Sequence, residues 1–68
     1  MINIGDTLKK LRLEENLTQE AVAKKLGISR VNYTRYENDT VRPSYETLIK
    51  IAQLYNVTID YIFGLAQL

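Results

Sequence analysis

Between Leu26 and Arg30 the chain has only Gly27, Ile28 and Ser29 with which to join two amphipathic segments. Upstream, Val22, Ala23 and Leu26 recur at helical spacing, and downstream Tyr33 and Tyr36 do the same. Gly27 supplies the stop for the first segment, where a positive φ is required, and Ser29 supplies a hydroxyl cap for the second. Two helices meeting across so short a turn must cross steeply. A steep crossing brings the helices close, so one inward position on the leading helix must be small, and Ala23 fills it four residues before Gly27. Val22, Leu26, Ile28, Tyr33 and Tyr36 then form one continuous inner surface.

The punctuation elsewhere predicts three more short helices. The first covers residues 4–15, with Leu8 and Leu11 facing inward, Arg12 beside them, and Asn3 followed by Asp6 reading as a capping box. Thr18 caps the second helix, and the third runs from Ser29 on to Asn38. After the polar stretch NDTVRP, Ser44 caps a fourth helix that places Leu48, Ile51, Ala52 and Tyr55 on one stripe, and Thr58 caps a short fifth before Gly64. Glu20, Glu46 and Asp60 each sit near the positive end of a helix, where a carboxylate is favoured. The expected fold is all-α, a compact five-helix orthogonal bundle whose second and third helices form a helix-turn-helix. Residues 1–68 are expected to make one domain, with a tail at 65–68 that is a dimer contact or the start of a linker.

A chain of 68 residues buries only about 60% of the surface that its unfolded form exposes, which leaves little room for a large catalytic cleft. It also has no cysteine and no histidine. That removes thiolate metal sites, cysteine nucleophiles and histidine bases, and no phosphate loop is present, so the expectation is a protein that is not an enzyme and needs no metal or cofactor. No small-molecule ligand is evident. The start, MINIGDTLKK, is unlike a secretion signal, and the apolar run YNVTIDYIFGLAQL is too short to span a membrane and carries Asp60. A cytoplasmic location without membrane contact is expected.

Net charge is only +1, yet Lys24, Lys25, Arg30, Arg35 and Arg42 face only Glu37 and Asp39 across residues 24–42, leaving +3 there and −2 on the rest. On charge alone, a nucleic-acid footprint and a solvated helix face fit equally well. The third helix is more informative. At 100° per residue, Tyr33, Tyr36 and Glu37 share one face while Arg30, Val31, Thr34, Arg35 and Asn38 share the other. Interleaved tyrosines and arginines first suggest stacking on unpaired bases, but this spacing turns the tyrosines inward. The outward face is polar, small and long-armed, as required of a surface that enters a major groove and presents donors and acceptors to base edges.

Taken together, LRLEENLTQEAVAKKLGISRVNYTRYEN and RPSYETLIKIAQLYNVTIDYIFG resemble the helix-turn-helix domains of the lambda-repressor and Cro type, often called the XRE family. The resemblance runs from Leu8 to Gly64 and rests on LTQ, Ala23, LGIS, RYEN and the P-S-x-E-T-L helix. It implies a double-stranded DNA operator as partner, a homodimer on a two-fold symmetric site, and a sequence-specific transcriptional regulator of the repressor kind.

Carried over position by position, the resemblance assigns base reading to Arg30, Val31, Thr34 and Arg35. Gln19 matches a glutamine that contacts phosphate and braces the recognition helix, and Thr18, Ser29, Asn32, Asn38, Thr40 and Arg42 fall where phosphate contacts are expected. Arg12 and Glu37 match a structural ion pair. Two positions depart from the pattern. Tyr33 stands where the family usually has Ile or Val, which leaves open whether its hydroxyl reaches the surface or a phosphate. Asp39 replaces the usual glycine after Asn38 and puts an acid near the expected DNA backbone. A second reading, a protein-interaction module, is motivated by the apolar run Ile59, Tyr61, Ile62, Phe63, Leu65 and Leu68, which core packing or dimerisation would equally explain.

Overall fold

The computed structural model describes residues 3–65, so the end of the apolar run at Leu68, and the expected tail beyond Leu65, lie outside the described residues. Among these residues the chain forms α1 (Gly5–Glu14), α2 (Gln19–Leu26), α3 (Arg30–Glu37), α4 (Tyr45–Tyr55) and α5 (Ile59–Ile62), with no strand. Four starts carry the hydroxyl caps expected of them. Thr18 accepts from the N–H of Ala21 at 3.0 Å, Ser29 from Asn32 at 3.1 Å, Ser44 from Thr47 at 3.2 Å and Thr58 from Tyr61 at 3.0 Å.

The start of α1 corrects the sequence expectation. Ile4, not Asn3, is its N-cap residue, and it offers no side-chain cap. The orphan N–H groups of Ile4 and Gly5 instead donate to Oδ1 of Asp39, each at 3.0 Å, across more than thirty residues of chain. A carboxylate far along the chain but adjacent in space therefore does what the capping box was expected to do.

All five helices end by one device. A residue with positive φ follows the last turn, namely Asn16, Gly27, Asp39, Asn56 or Gly64. The next N–H then reaches back to the carbonyl five residues earlier: Leu17 to Arg12 at 3.1 Å, Ile28 to Ala23 at 3.0 Å, Thr40 to Arg35 at 2.9 Å, Val57 to Ala52 at 3.0 Å and Leu65 to Asp60 at 2.8 Å. Only two of the five are glycine; Asn and Asp fill the rest because their short polar side chains tolerate this region best among the others.

The core lies where α3 packs against both α2 and α1, with α4 packed on α2 and on α5. Leu8, Val22, Tyr33, Ile51 and Ile62 are fully enclosed, and Ala23 is nearly so. At Gly27, with φ 73°, an added Cβ would stand in open space, so the residue is there for its backbone and not for clearance. Ala23 answers the other demand, closeness: a larger side chain there would overpack the crossing, at about 1–3 kcal/mol.

Candidate nucleic-acid interface

α3 has two unlike faces. Tyr33 and Tyr36 are buried and meet edge-on, with ring centroids 6.3 Å apart and planes at 80°. On the other side Arg30, Asn32 and Arg35 are exposed, and Val31 is an exposed apolar side chain at 56%. Thr18, Ser29, Asn38, Thr40 and Arg42 are exposed too, while Thr34, Gln19 and Ile28 are half-buried. The residues expected to read bases and those expected to touch phosphate are thus accessible at the start of α2, along α3 and in the loop behind it.

What holds that face in place is a connected polar network. The Arg12 guanidinium donates from Nε to Glu37 Oε2 at 2.7 Å, from Nη2 to Glu37 Oε1 at 3.2 Å and from Nη1 to the Leu17 carbonyl at 2.9 Å. Gln19 Nε2 donates to the same Glu37 oxygen at 3.2 Å, and Gln19 Oε1 accepts from the Thr34 hydroxyl at 2.8 Å. The chain Thr34, Gln19, Glu37, Arg12 thereby ties α3 to the start of α2 and to α1. Both ends of the Gln19 amide are committed, which fixes which of them carries the oxygen.

Burial alone would raise the Glu37 carboxyl, but the donors around it outweigh that, Arg12 above all, and hold it below the ordinary carboxylate range. The hydrogen bond to Glu37, only partly offset by burial, raises Arg12 further above its ordinary value. Both groups are therefore charged across the whole working pH range.

The Tyr33 hydroxyl does not emerge toward solvent or DNA. The residue is fully enclosed, and its oxygen, like that of Tyr55, is buried without a protein hydrogen-bond partner. The Glu37 carboxylate is within electrostatic reach of it. Burial, reinforced by that carboxylate, pushes the Tyr33 phenol far above its ordinary value, and burial raises Tyr55 as well. The larger ring is housed by turning its polar tip inward, not by letting it reach a phosphate.

Asp39 also differs from its expected position. Its carboxylate points back to α1 and is not presented along the exposed face of α3. Among the described residues no group of three acidic, histidine or cysteine side chains is arranged to hold a metal ion, and no helix is long and apolar enough to cross a membrane.

With this geometry in view, the sequence comparisons are consistent. The profile of the helix-turn-helix family matches residues 8–62, and the chain belongs to the XRE-type branch of that family. It is 46% identical over 58 residues to the uncharacterised helix-turn-helix transcriptional regulator YqaE of Bacillus subtilis, covering 85% of this chain and 50% of that one. It is 40% identical over 52 residues to the cryptic phage CTXphi transcriptional repressor RstR of Vibrio cholerae, covering 76% of this chain and 47% of that one. In three dimensions it matches the P22 c2 repressor, solved in complex with a synthetic operator, with a TM-score of 0.86, 22% identity and coverage of 93% and 96% of the two chains. The chain spans about half the length of the first curated relatives it matches.

Proposed function

We propose that this chain is a sequence-specific double-stranded DNA-binding module of a transcriptional regulator, acting as a repressor, which lays α3 in the major groove. The observation that carries this reading is the pairing of an exposed Arg30, Val31 and Arg35 with a buried brace that sets the angle of the helix presenting them. A guanidinium can bond bidentately to O6 and N7 of guanine, each good pair giving about 1–3 kcal/mol of discrimination, and Val31 offers an apolar contact to a thymine methyl. Thr34 spends its hydroxyl proton on Gln19, so its contribution at the groove is chiefly its methyl group. The leading N–H groups of α2 and α3, with the polar side chains of Thr18, Ser29 and Asn32 and the second amide hydrogen of Gln19, suit phosphate oxygens, as do Asn38, Thr40 and Arg42 in the following loop.

Two copies on a two-fold symmetric operator, with half-sites one helical turn or about 34 Å apart, complete the reading. Binding, not catalysis, is the activity, and the site of action is the cytoplasm. Selection of bound sequences from a random DNA pool tests this directly, since it yields site, symmetry and spacing together; failure to enrich any sequence at low salt would sink it. Arg35→Ala is expected to relax base preference at one position of each half-site. Arg42→Ala is expected to weaken all sequences alike and to lower the salt slope by about one. Equal effects from the two changes would reject this division between reading and anchoring.

A further inference from the structure

We propose that Asp39 is a positioning residue for DNA binding, a clasp that fixes the loop carrying Asn38, Thr40 and Arg42 against the start of α1. The proposal rests on the DNA-binding reading above. Among the described residues, Asp39 alone both ends one helix and caps another. Its backbone, at φ 59°, closes α3 and lets Thr40 N–H reach the Arg35 carbonyl at 2.9 Å. Its side chain accepts the first two free N–H groups of α1 at 3.0 Å each.

Gly5 makes the approach possible. A Cβ there would run into the Glu37 carbonyl and stand 2.6 Å from Asp39 Oδ2, so α1 comes this close to the end of α3 only because position 5 has no side chain. The charge of Asp39 is directed at the positive end of α1, where it is favourable. Facing phosphates it would repel them. A glycine at position 39 would supply the same backbone conformation and leave the loop attached to α3 alone. With aspartate the loop is fastened at both sides, and its backbone contacts are ordered before DNA arrives. Such contacts position a protein without reading sequence, so loosening them should weaken binding to every duplex alike.

Two substitutions separate geometry from charge. Asp39→Asn retains tolerance of positive φ and an oxygen that can accept from Ile4 and Gly5. Asp39→Gly retains the backbone and removes the acceptor. For the unaltered chain and both variants, affinity is measured for the selected operator and for an unrelated duplex, and amide hydrogen exchange is followed without DNA at Ile4, Gly5, Thr40 and the core residues Val22 and Ile51. Asp39→Asn is expected to bind within about threefold of the unaltered chain, and Asp39→Gly about tenfold more weakly on both duplexes, the size of one lost charge-assisted contact. Base preference should be unchanged, and Ile4 and Gly5 should exchange faster in Asp39→Gly while Val22 and Ile51 stay protected.

Operator binding by Asp39→Gly equal to that of the unaltered chain, with Ile4 and Gly5 exchanging fast, overturns the proposal. Should Asp39→Gly lose core protection, Asp39→Asn decides alone: tenfold weaker binding with Ile4 and Gly5 still protected also overturns it. If the unaltered chain binds no DNA, the DNA-binding reading itself falls, a result distinct from both.

Discussion

Removing the carboxylate of Glu37 should cost more stability than removing both partners of its ion pair. Arg12 and Glu37 have side chains only 10% and 4% exposed, and three of the guanidinium's bonds go to Glu37 and Leu17. Glu37→Leu leaves a buried cation with one carbonyl for company and strips Gln19 of its acceptor. Breaking such a pair costs about 3–5 kcal/mol. The domain is only 19 Å across its shortest dimension, so solvent is near and the lower end, about 3 kcal/mol, applies. At about 0.05–0.15 kcal/mol per residue the whole domain has only about 3–10 kcal/mol to lose, so this one change removes between about a third and all of it. Arg12→Met with Glu37→Leu leaves no orphan charge and should lie within about 1–2 kcal/mol of the unaltered chain. Urea unfolding followed by circular dichroism resolves the difference, since a slope of about 1 kcal/mol per molar turns 3 kcal/mol into a midpoint shift of about 3 M. DNA affinity should not recover with stability in the double variant, because Gln19 still lacks its partner. The pH dependence adds a check. Glu37 is held below its ordinary value of 4.5, so the pair's contribution is complete above that value and is lost as pH falls through the lower, folded one. The double variant should lack that acid limb. A cost under about 1 kcal/mol for Glu37→Leu, with Arg12 in place, would refute the assignment of the pair as buried and mutually dependent.

Tyr33→Phe removes a buried hydroxyl that has no protein partner, and should stabilise the domain by about 1–2 kcal/mol with operator affinity unchanged. Because the Tyr33 phenol is raised above its ordinary 10.0 in the folded state, the unaltered chain should lose stability above that pH, and the variant should lose less; destabilisation by Tyr33→Phe at neutral pH would show that the hydroxyl is bonded. Gly27→Ala meets no neighbour and should cost only the positive φ, about 1 kcal/mol, whereas Gly5→Ala collides with Glu37 and Asp39 and should cost clearly more. Thermal unfolding of the two variants side by side tests the order, and a reversed order would mean that α1 shifts freely away from α3.

The helices and their starts were legible because hydroxyl caps and apolar stripes are local signals. Thr18, Ser29, Ser44 and Thr58 could be picked out within a few residues of the N–H groups they serve. Two of the endings were legible for the same reason, Gly27 and Gly64 being glycines. Asn16, Asp39 and Asn56 end helices in the same conformation but are ordinary polar residues in the sequence, and nothing local marks them apart from their tolerance of positive φ. The real cap of α1 was illegible in principle. Asp39 and Ile4 are joined only after α3 has packed on α1, and a plausible local alternative, Asn3 with Asp6, stood in the way. Tyr33 was legible as inward-facing from its spacing, yet the burial of its hydroxyl is set by packing against α4, whose Tyr55 comes from a distant part of the chain.

Directional bonds therefore do what apolar packing cannot. Burial of Val22, Leu26 and Tyr33 holds α2 and α3 together, but hydrophobic burial is non-directional and tolerates small rotations. Bidentate recognition of a base edge does not tolerate them. The polar ties fall unevenly along α3: Glu37, its last residue, is held by Arg12 and Gln19, and Asp39, two residues on, is held by the start of α1. Nearer the start only the Thr34 hydroxyl is tied, and Arg30 and Val31 are left exposed. A helix whose polar ties gather toward its C-terminal end, and whose leading side chains Arg30 and Val31 stand exposed, can insert those residues into a groove at a fixed angle while the rest of the domain stays clear of the bases. On this arrangement stability and recognition are separable: changes at Arg30 or Val31 should alter which sequence is bound without altering unfolding, and changes at Arg12 or Glu37 should do both.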